Sequence, residues 1–178
     1  MRIVSGSLKG RRFSPPKSFK ARPTTDFAKE NLFNILNNTI DYDDLKILDI
    51  FGGTGSISYE FASRGVPDVT CIEMNFNHYK FIKKTVSELD LEDTVKVIRG
   101  DAFKFVEKTG EKFDLIFADP PYDLVGSEKI PDLVIKNELL NEGGLLIFEH
   151  SGKESFNSHP NFIENRANGK VIFTFFKA

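Results

Sequence analysis

The chain has one cysteine, Cys71, so neither an internal disulfide nor a multi-cysteine zinc site can be assembled within it. Cys71 lies in the apolar stretch VTCIEM, where a small buried hydrophobe is the expected role. No apolar run reaches the roughly 18 residues needed to span a bilayer. The opening MRIVSGSLKG lacks the apolar centre and small-residue cleavage site of a signal peptide. The expectation is a soluble, cytoplasmic protein with no membrane partner. The three histidines, His78, His150 and His159, are dispersed without metal-ligand spacing, so no metal site is expected. Internal repeats and low-complexity segments are also missing.

Net charge is small, −2 from 24 basic and 26 acidic residues, but it is unevenly placed. Residues 1–30 hold eight basic side chains (Arg2, Lys9, Arg11, Arg12, Lys17, Lys20, Arg22, Lys29) against Asp26 and Glu30, a net +6 that leaves −8 for the remainder. A basic segment on an acidic body fits a polyanion, because cations at phosphates release condensed counterions. The length suits one domain over 1–178, with 1–40 as a basic hairpin-and-helix extension packed on it, and a monomer is expected.

After the basic arm, short apolar runs alternate with longer amphipathic stretches, the order of βαβ units. Buried strands of a parallel sheet are expected at 46–50 (KILDI), 69–73 (VTCIE), 95–99 (VKVIR), 113–118 (FDLIFA) and 144–149 (GLLIFE). The stretches 56–63, 76–89 and 102–108 have helical spacing, with Phe81, Ile82, Val86 and Leu89 on one stripe, so helices should cover both faces. Near the end, NFIEN and KVIFTFFKA flank Arg166-Ala167-Asn168-Gly169, whose Asn-Gly pair favours a tight turn and an added antiparallel hairpin. Phe173 and Phe175 alternate with Ile172 and Phe176, which suits a last strand buried on both faces. At the front, RIVSG and GRRF around SLK predict a small hairpin. PTTDFAKENLFNIL reads as a helix starting after Pro23, packed through Phe27, Ala28, Leu32, Ile35 and Leu36.

LDIFGGTGSIS puts Asp49 at a strand end and Gly52, Gly53 and Gly55 before a helix. A turn this tight needs residues that tolerate positive φ and a backbone that a ligand can approach. A dinucleotide fingerprint would want a third glycine at position 58, where Ser58 stands, which argues against pyrophosphate. Glu73 closes the second strand, where a carboxylate can accept both hydroxyls of a ribose. Asp101 follows the third strand and could accept from an adenine amine, with a helix cap as an equally fitting role. Asp49, Glu73, Asp101 and Asp119 thus converge on the carboxyl rim where open α/β sheets bind ligands. Such a rim repels pyrophosphate and tolerates a cationic sulfonium, which points to S-adenosylmethionine.

Asp119-Pro120-Pro121-Tyr122 follows the buried run FDLIFA directly. Two prolines fix φ and donate no N–H, so the Asp119 carboxylate and the Pro120 carbonyl become rigid acceptors for a planar amine. Tyr122 offers a face for stacking a base, worth roughly 1–3 kcal/mol. The tetrapeptide therefore predicts methyl transfer to an exocyclic base amine, with Asp119, Pro120, Pro121 and Tyr122 as the catalytic set.

Together, RIVSGSLKGRRF, RPTTDFAKENLFNIL, LDIFGGTG, IEM, GDAF, DPPY and GKVIFTFF resemble the bacterial RsmD-type 16S ribosomal RNA guanine-N2 methyltransferases over nearly the whole chain. That resemblance implies a class I methyltransferase fold, Rossmann-like, with a seven-stranded mostly parallel sheet and an antiparallel C-terminal strand. It implies Asp49, Phe51, Gly53 and Gly55 around the methionine end of S-adenosylmethionine, Glu73 and Met74 at the ribose, and Asp101 and Ala102 at the adenine. It also implies Asp119 to Tyr122 at the guanine N2 amine, and Arg2, Lys9, Arg11, Arg12, Arg22 and Thr24 toward RNA, with 16S ribosomal RNA in a 30S subunit or its assembly intermediate as partner. Three features depart from the pattern. Gly52 replaces a usual alanine and is expected to matter little, Lys29 replaces a usual arginine and cannot copy its bidentate contacts, and residues 150–168 align poorly.

Four rival readings remain. DPPY-like tetrapeptides also resemble those of adenine-N6 and protein-glutamine methyltransferases. A nicotinamide oxidoreductase is disfavoured by Ser58 and DPPY, and a catalytically silent RNA-binding assembly factor by the intact motifs.

Overall fold

The apolar runs form strands at the expected places in the computed structural model, which describes residues 1–17, 19, 26–169 and 171–178. The strands are β1 (Lys46–Asp49), β2 (Asp68–Glu73), β3 (Val95–Arg99), β4 (Phe113–Ala118), β5 (Leu140–His150), β6 (Phe162–Asn168) and β7 (Val171–Lys177). They make one sheet in the order β3-β2-β1-β4-β5-β7-β6. The first five strands run parallel, and β7 is antiparallel between β5 and β6. The chain moves outward from β1 to β3, then returns to place β4 on the other side of β1. The β1/β4 boundary is therefore the switch point where such sheets open a crevice.

The helices are α1 (Asp26–Leu36), α2 (Ser56–Ser63), α3 (Phe76–Glu88), α4 (Ala102–Lys108) and α5 (Ile130–Lys136). Helices α1, α2 and α3 cover one sheet face, packing on Ile47, Val69, Leu115, Phe117, Ile147 and Phe175. Helices α4 and α5 cover the other through Ala102, Val106, Ile130 and Val134. Each side chain buried completely in these layers contributes about 1.5–3 kcal/mol. β7 is buried on both sides: Phe173 and Phe175 join the first layer and Phe176 the second. The hairpin turn between β6 and β7 includes Gly169 at φ 65.

Two elements differ from the sequence expectation. Helix α5 spans only seven residues with Pro131 in its first turn, too short for its periodicity to stand out. β5 begins at Leu140 rather than 144, because Gly143 at φ 76 and a register shift between Phe113 and Leu115 carry the strand through Asn-Glu-Gly-Gly, which reads as a turn.

In helix α1 the expected Leu32 and Leu36 are buried and Ile35 packs partly on the core, but the inward face is shifted at its start. Phe27 is 67% exposed, and the buried positions are Lys29, Leu32, Phe33 and Leu36. The inward stripe thus includes a lysine that hydropathy assigns to solvent. Lys29 is buried because its ammonium donates to the Arg2 carbonyl and lies 3.8 Å from both Asp26 and Glu60.

The N-terminal hairpin closes through an antiparallel bridge, Arg2 to Arg12, with Ile3 N donating to Arg11 O at 3.0 Å. It is bound to α2: the Glu60 carboxylate accepts from Val4 N and Ser5 N at 2.9 and 3.0 Å, and Ser7 N donates to Ser63 O at 2.7 Å. Gly6 is required there, since a Cβ would stand 1.8 Å from Ser63 O and φ is +81°. Among the described residues, no helix is long and apolar enough to cross a membrane, and no group of side chains could hold a metal ion.

Candidate functional site

Asp49 ends β1 at the switch point and is 1% exposed. Ser58 Oγ donates to its Oδ2 at 2.7 Å, so the serine at the would-be third glycine position holds this carboxylate. Asp49 Oδ1 is buried with no hydrogen-bond partner among the described residues. Burial pushes the acid up to about 6. A buried carboxylate oxygen without a donor fits a cationic group, which is the test a sulfonium cofactor must pass.

The glycine turn wraps over this acid. Gly53 and Gly55 have φ of 56 and 78, and Gly52 N donates to Ile72 O at 2.8 Å. A Cβ at Gly53 would meet only Phe51 O, at 3.9 Å, so it is the φ of 56 rather than crowding that favours glycine there. At Gly52 a Cβ would stand 2.5 Å from Cys71 Sγ and 3.1 Å from Ile82 Cδ1, so an alanine there would require these side chains to shift. Cys71 itself is fully buried, and burial raises its thiol well above the usual range.

Glu73 closes β2, next to β1, and organises the loops around it. Its Oε2 accepts from Gly53 N at 2.8 Å and its Oε1 from Asn75 N at 2.6 Å. A carboxylate has about four lone-pair sites, so the two amides leave acceptor capacity on Glu73, with His78 Nδ1 3.9 Å from Oε2. Asn75 rather than Glu73 caps α3, accepting from Asn77 N and His78 N. Asp101 does cap α4, accepting from Lys104 N at 2.9 Å, while Ala102 is buried in the α4 layer. Met74 is 66% exposed and Phe51 is half-buried against the α4/α5 layer.

Asp119 follows β4 directly. Burial first, then Glu149, then Asp49 raise its pKa well above the carboxylate range. Pro121 O accepts from Leu124 N at 2.9 Å, which holds the tetrapeptide in a turn and engages one of its two proline carbonyls. Pro120 is buried, and Tyr122 is 49% exposed. Glu149, 6% exposed near the end of β5, joins this group and is absent from the sequence-based set. The signal was present: Glu149 closes the run GLLIFE as Asp49 closes KILD and Glu73 closes DVTCIE.

The expected RNA-facing residues divide into three groups. Arg2 is held by Asp26 and Glu30 at 3.3 Å each, and Arg11 donates to the Glu88 carbonyl at 3.1 Å. Lys9 and Arg12 are exposed. Arg22 and Thr24 lie outside the described residues. Of the histidines, His78 packs at a tilt of 31° against Phe19 with centroids 4.2 Å apart, His150 is buried against Thr174 Oγ1 at 2.7 Å, and His159 meets Asp132 at 3.2 Å.

Residues 1–177 match the family model described as conserved hypothetical protein 95. The chain belongs to this family. It is 32% identical over 149 residues to the ribosomal RNA small subunit methyltransferase D of Escherichia coli strain K12, covering 84% of this chain and 74% of that protein. Among solved structures, yhhF of Escherichia coli, named as a methyltransferase, superposes with a TM-score of 0.85 at 26% identity over 99% of this chain and 97% of that one. SMU.776, also named as a methyltransferase and complexed with SAH, superposes with a TM-score of 0.63 at 16% identity over 84% of this chain and 49% of that one, a likeness of fold alone. The fold is that of the class I methyltransferases, with the seven-stranded sheet and antiparallel β7 expected from the sequence.

Proposed function

We propose that this protein is a ribosomal RNA methyltransferase that transfers a methyl group from S-adenosylmethionine to the exocyclic N2 amine of a guanine in 16S ribosomal RNA. The observation that carries the reading is the position of Asp119-Pro120-Pro121-Tyr122 immediately after β4, whose neighbour β1 ends in buried Asp49, at the switch point of the sheet. The family supports it, since the Escherichia coli relative is named as a methyltransferase of small-subunit ribosomal RNA.

S-adenosylmethionine, when bound, supplies an electrophilic methyl group on a positively charged sulfur. Asp49, Gly53 and Gly55 would hold its methionine end, Glu73 and Met74 its ribose, and Asp101 with Ala102 its adenine. Asp119 and the Pro120 carbonyl accept hydrogen bonds from the target amine and fix its lone pair toward the methyl group. Tyr122 stacks on the base. The methylated amine becomes acidic, and Asp119 or water takes its proton without a strong base. Orienting two bound reactants in this way can lower a barrier by roughly 7–11 kcal/mol. Lys9, Arg11 and Arg12 contact phosphates on the hairpin side. We place the work within the small subunit or its assembly intermediate, with the protein acting as a monomer.

The test is transfer from radiolabelled S-adenosylmethionine to small ribosomal subunits from cells lacking the methylation, followed by nucleoside analysis. Label in N2-methylguanosine is expected. Label in N6-methyladenosine or in protein overturns the acceptor, and no transfer overturns the enzyme reading.

A further inference from the structure

Glu149 has no role in the site as read from sequence, yet its position beside Asp119 follows from the register of the sheet. β4 and β5 run parallel, about 4.8 Å apart, with Ala118 opposite Phe148 as the last pair; Asp119, the first residue after β4, and Glu149, still within β5, each follow that pair by one residue. Ala118 and Phe148 belong to the α4/α5 layer. Alternation along β5 turns Glu149 to the opposite face, the one that carries α1, α2 and the basic hairpin, and the alternation of Phe117 and Ala118 continued one residue past β4 directs Asp119 the same way. Glu149 pairs across β7 with Phe173, which lies in that same layer. Among charged neighbours, Glu149 acts on Asp119 more strongly than Asp49 does.

The donor count of a bound guanine then matters. Its amino edge presents three N–H groups: two on N2 and one on N1. Asp119 and the Pro120 carbonyl accept two, and a third buried donor without an acceptor would be costly.

We propose that Glu149 accepts the guanine N1–H, so that Asp119 and Glu149 read the adjacent donors of one base and Glu149 selects guanine over other amines. This rests on the guanine-N2 reading above. An adenine N6 amine is flanked by the acceptor N1, and a glutamine amide nitrogen by its carbonyl oxygen; each would set a lone pair against the Glu149 carboxylate. Sites built to hydrogen-bond a donor discriminate strongly against analogues that lack it.

The probe is small subunits reconstituted with guanine or 2-aminopurine at the methylated position, because 2-aminopurine keeps the 2-amine and has an acceptor at N1. Wild-type protein should prefer guanine by roughly 10- to 100-fold in kcat/KM. Glu149→Gln, nearly isosteric and able to donate to that N1, should slow guanine transfer, speed 2-aminopurine transfer, and collapse or invert the preference. A Gln variant that keeps the wild-type preference, or loses both activities while still binding S-adenosylmethionine, overturns the proposal. Should Glu149→Gln fail to fold, Glu149→Asp keeps the acceptor and must retain the guanine preference at a reduced rate; its loss also overturns the proposal. Wild-type protein that forms no N2-methylguanosine overturns the underlying functional reading instead, so the two failures are distinguishable.

Discussion

Glu60 and Asp49 are both buried carboxylates, 0% and 1% exposed, yet their surroundings differ in kind. Glu60 accepts from two backbone amides of the hairpin and from Arg64 at 3.1 Å, with the Lys29 ammonium 3.8 Å away. Asp49 accepts from Ser58, has one oxygen without a hydrogen-bond partner among the described residues, and is pushed up to about 6 by burial. The first carboxylate is satisfied inside the fold and holds two parts of it together. The second keeps one oxygen without a partner, which under the proposed function a bound sulfonium would face, so the rim carries an energetic cost that the anchor does not. Buried charge here serves structure where its partners come from the chain, and in the proposed function it serves binding where a partner is missing.

The largest effect should come from breaking the anchor. Glu60→Ala leaves Lys29 buried without its main counter-charge and two hairpin amides without an acceptor. Removing one partner of a buried pair costs about 3–5 kcal/mol, so denaturant unfolding should show a loss of that size. Hydrogen exchange at Val4 and Ser5 should rise with it. A loss below about 1 kcal/mol, the scale of a surface pair, would equate the anchor with an exposed salt bridge.

At the rim the sign reverses. The Asp49 acid rises from an ordinary value of 3.8 to about 6 in the fold, so its charged form opposes folding. The resulting deficit is missing below about pH 4, grows as pH rises toward 6, and stays constant above it. Asp49→Asn should therefore be more stable than wild type by about 3 kcal/mol at pH 8 and no more stable at pH 3.5, while losing S-adenosylmethionine binding. Equal melting temperatures at both pH values would mean that Asp49 is no more strained than Glu60.

A smaller effect concerns RNA. Arg11→Ala with Arg12→Ala should reduce the salt dependence of RNA binding by roughly 0.7–0.9 in log-log slope for each phosphate no longer neutralised, and leave cofactor affinity unchanged. An unchanged slope would confine the hairpin to the structural role that Glu60 gives it and move the RNA surface elsewhere.

The same contrast marks what the sequence makes legible. Strand ends are legible because an apolar run stops at an acid, so Asp49, Glu73 and Asp119 stand out and the sheet follows from the alternation. Glu149 ends its run in the same way, but the family motifs draw attention away from it. The anchor is not legible. Lys29 and Glu60 are 31 residues apart, and no local pattern says that a lysine in α1 will be buried against a glutamate in α2. Phe27 misleads for the same reason: Leu32, Phe33 and Leu36 follow hydropathy inward, but at the start of α1 the buried position goes to Lys29, whose partners lie elsewhere in the sequence, and Phe27 is left exposed. Asp101 shows the limit at the site itself, because a cap and a ligand contact call for the same residue at the same place.

The most direct test of the division of labour at the rim is Asp119→Ala, measured twice: S-adenosylmethionine binding by calorimetry, and single-turnover methyl transfer to small subunits. Asp119 is assigned to the target amine and Asp49 to the cofactor. Binding near the wild-type value, with transfer reduced at least about 10²- to 10³-fold, is the predicted result. Lost cofactor binding with unchanged RNA binding would contradict it, since the carboxylate of DPPY would then be holding the methyl donor rather than the methyl acceptor.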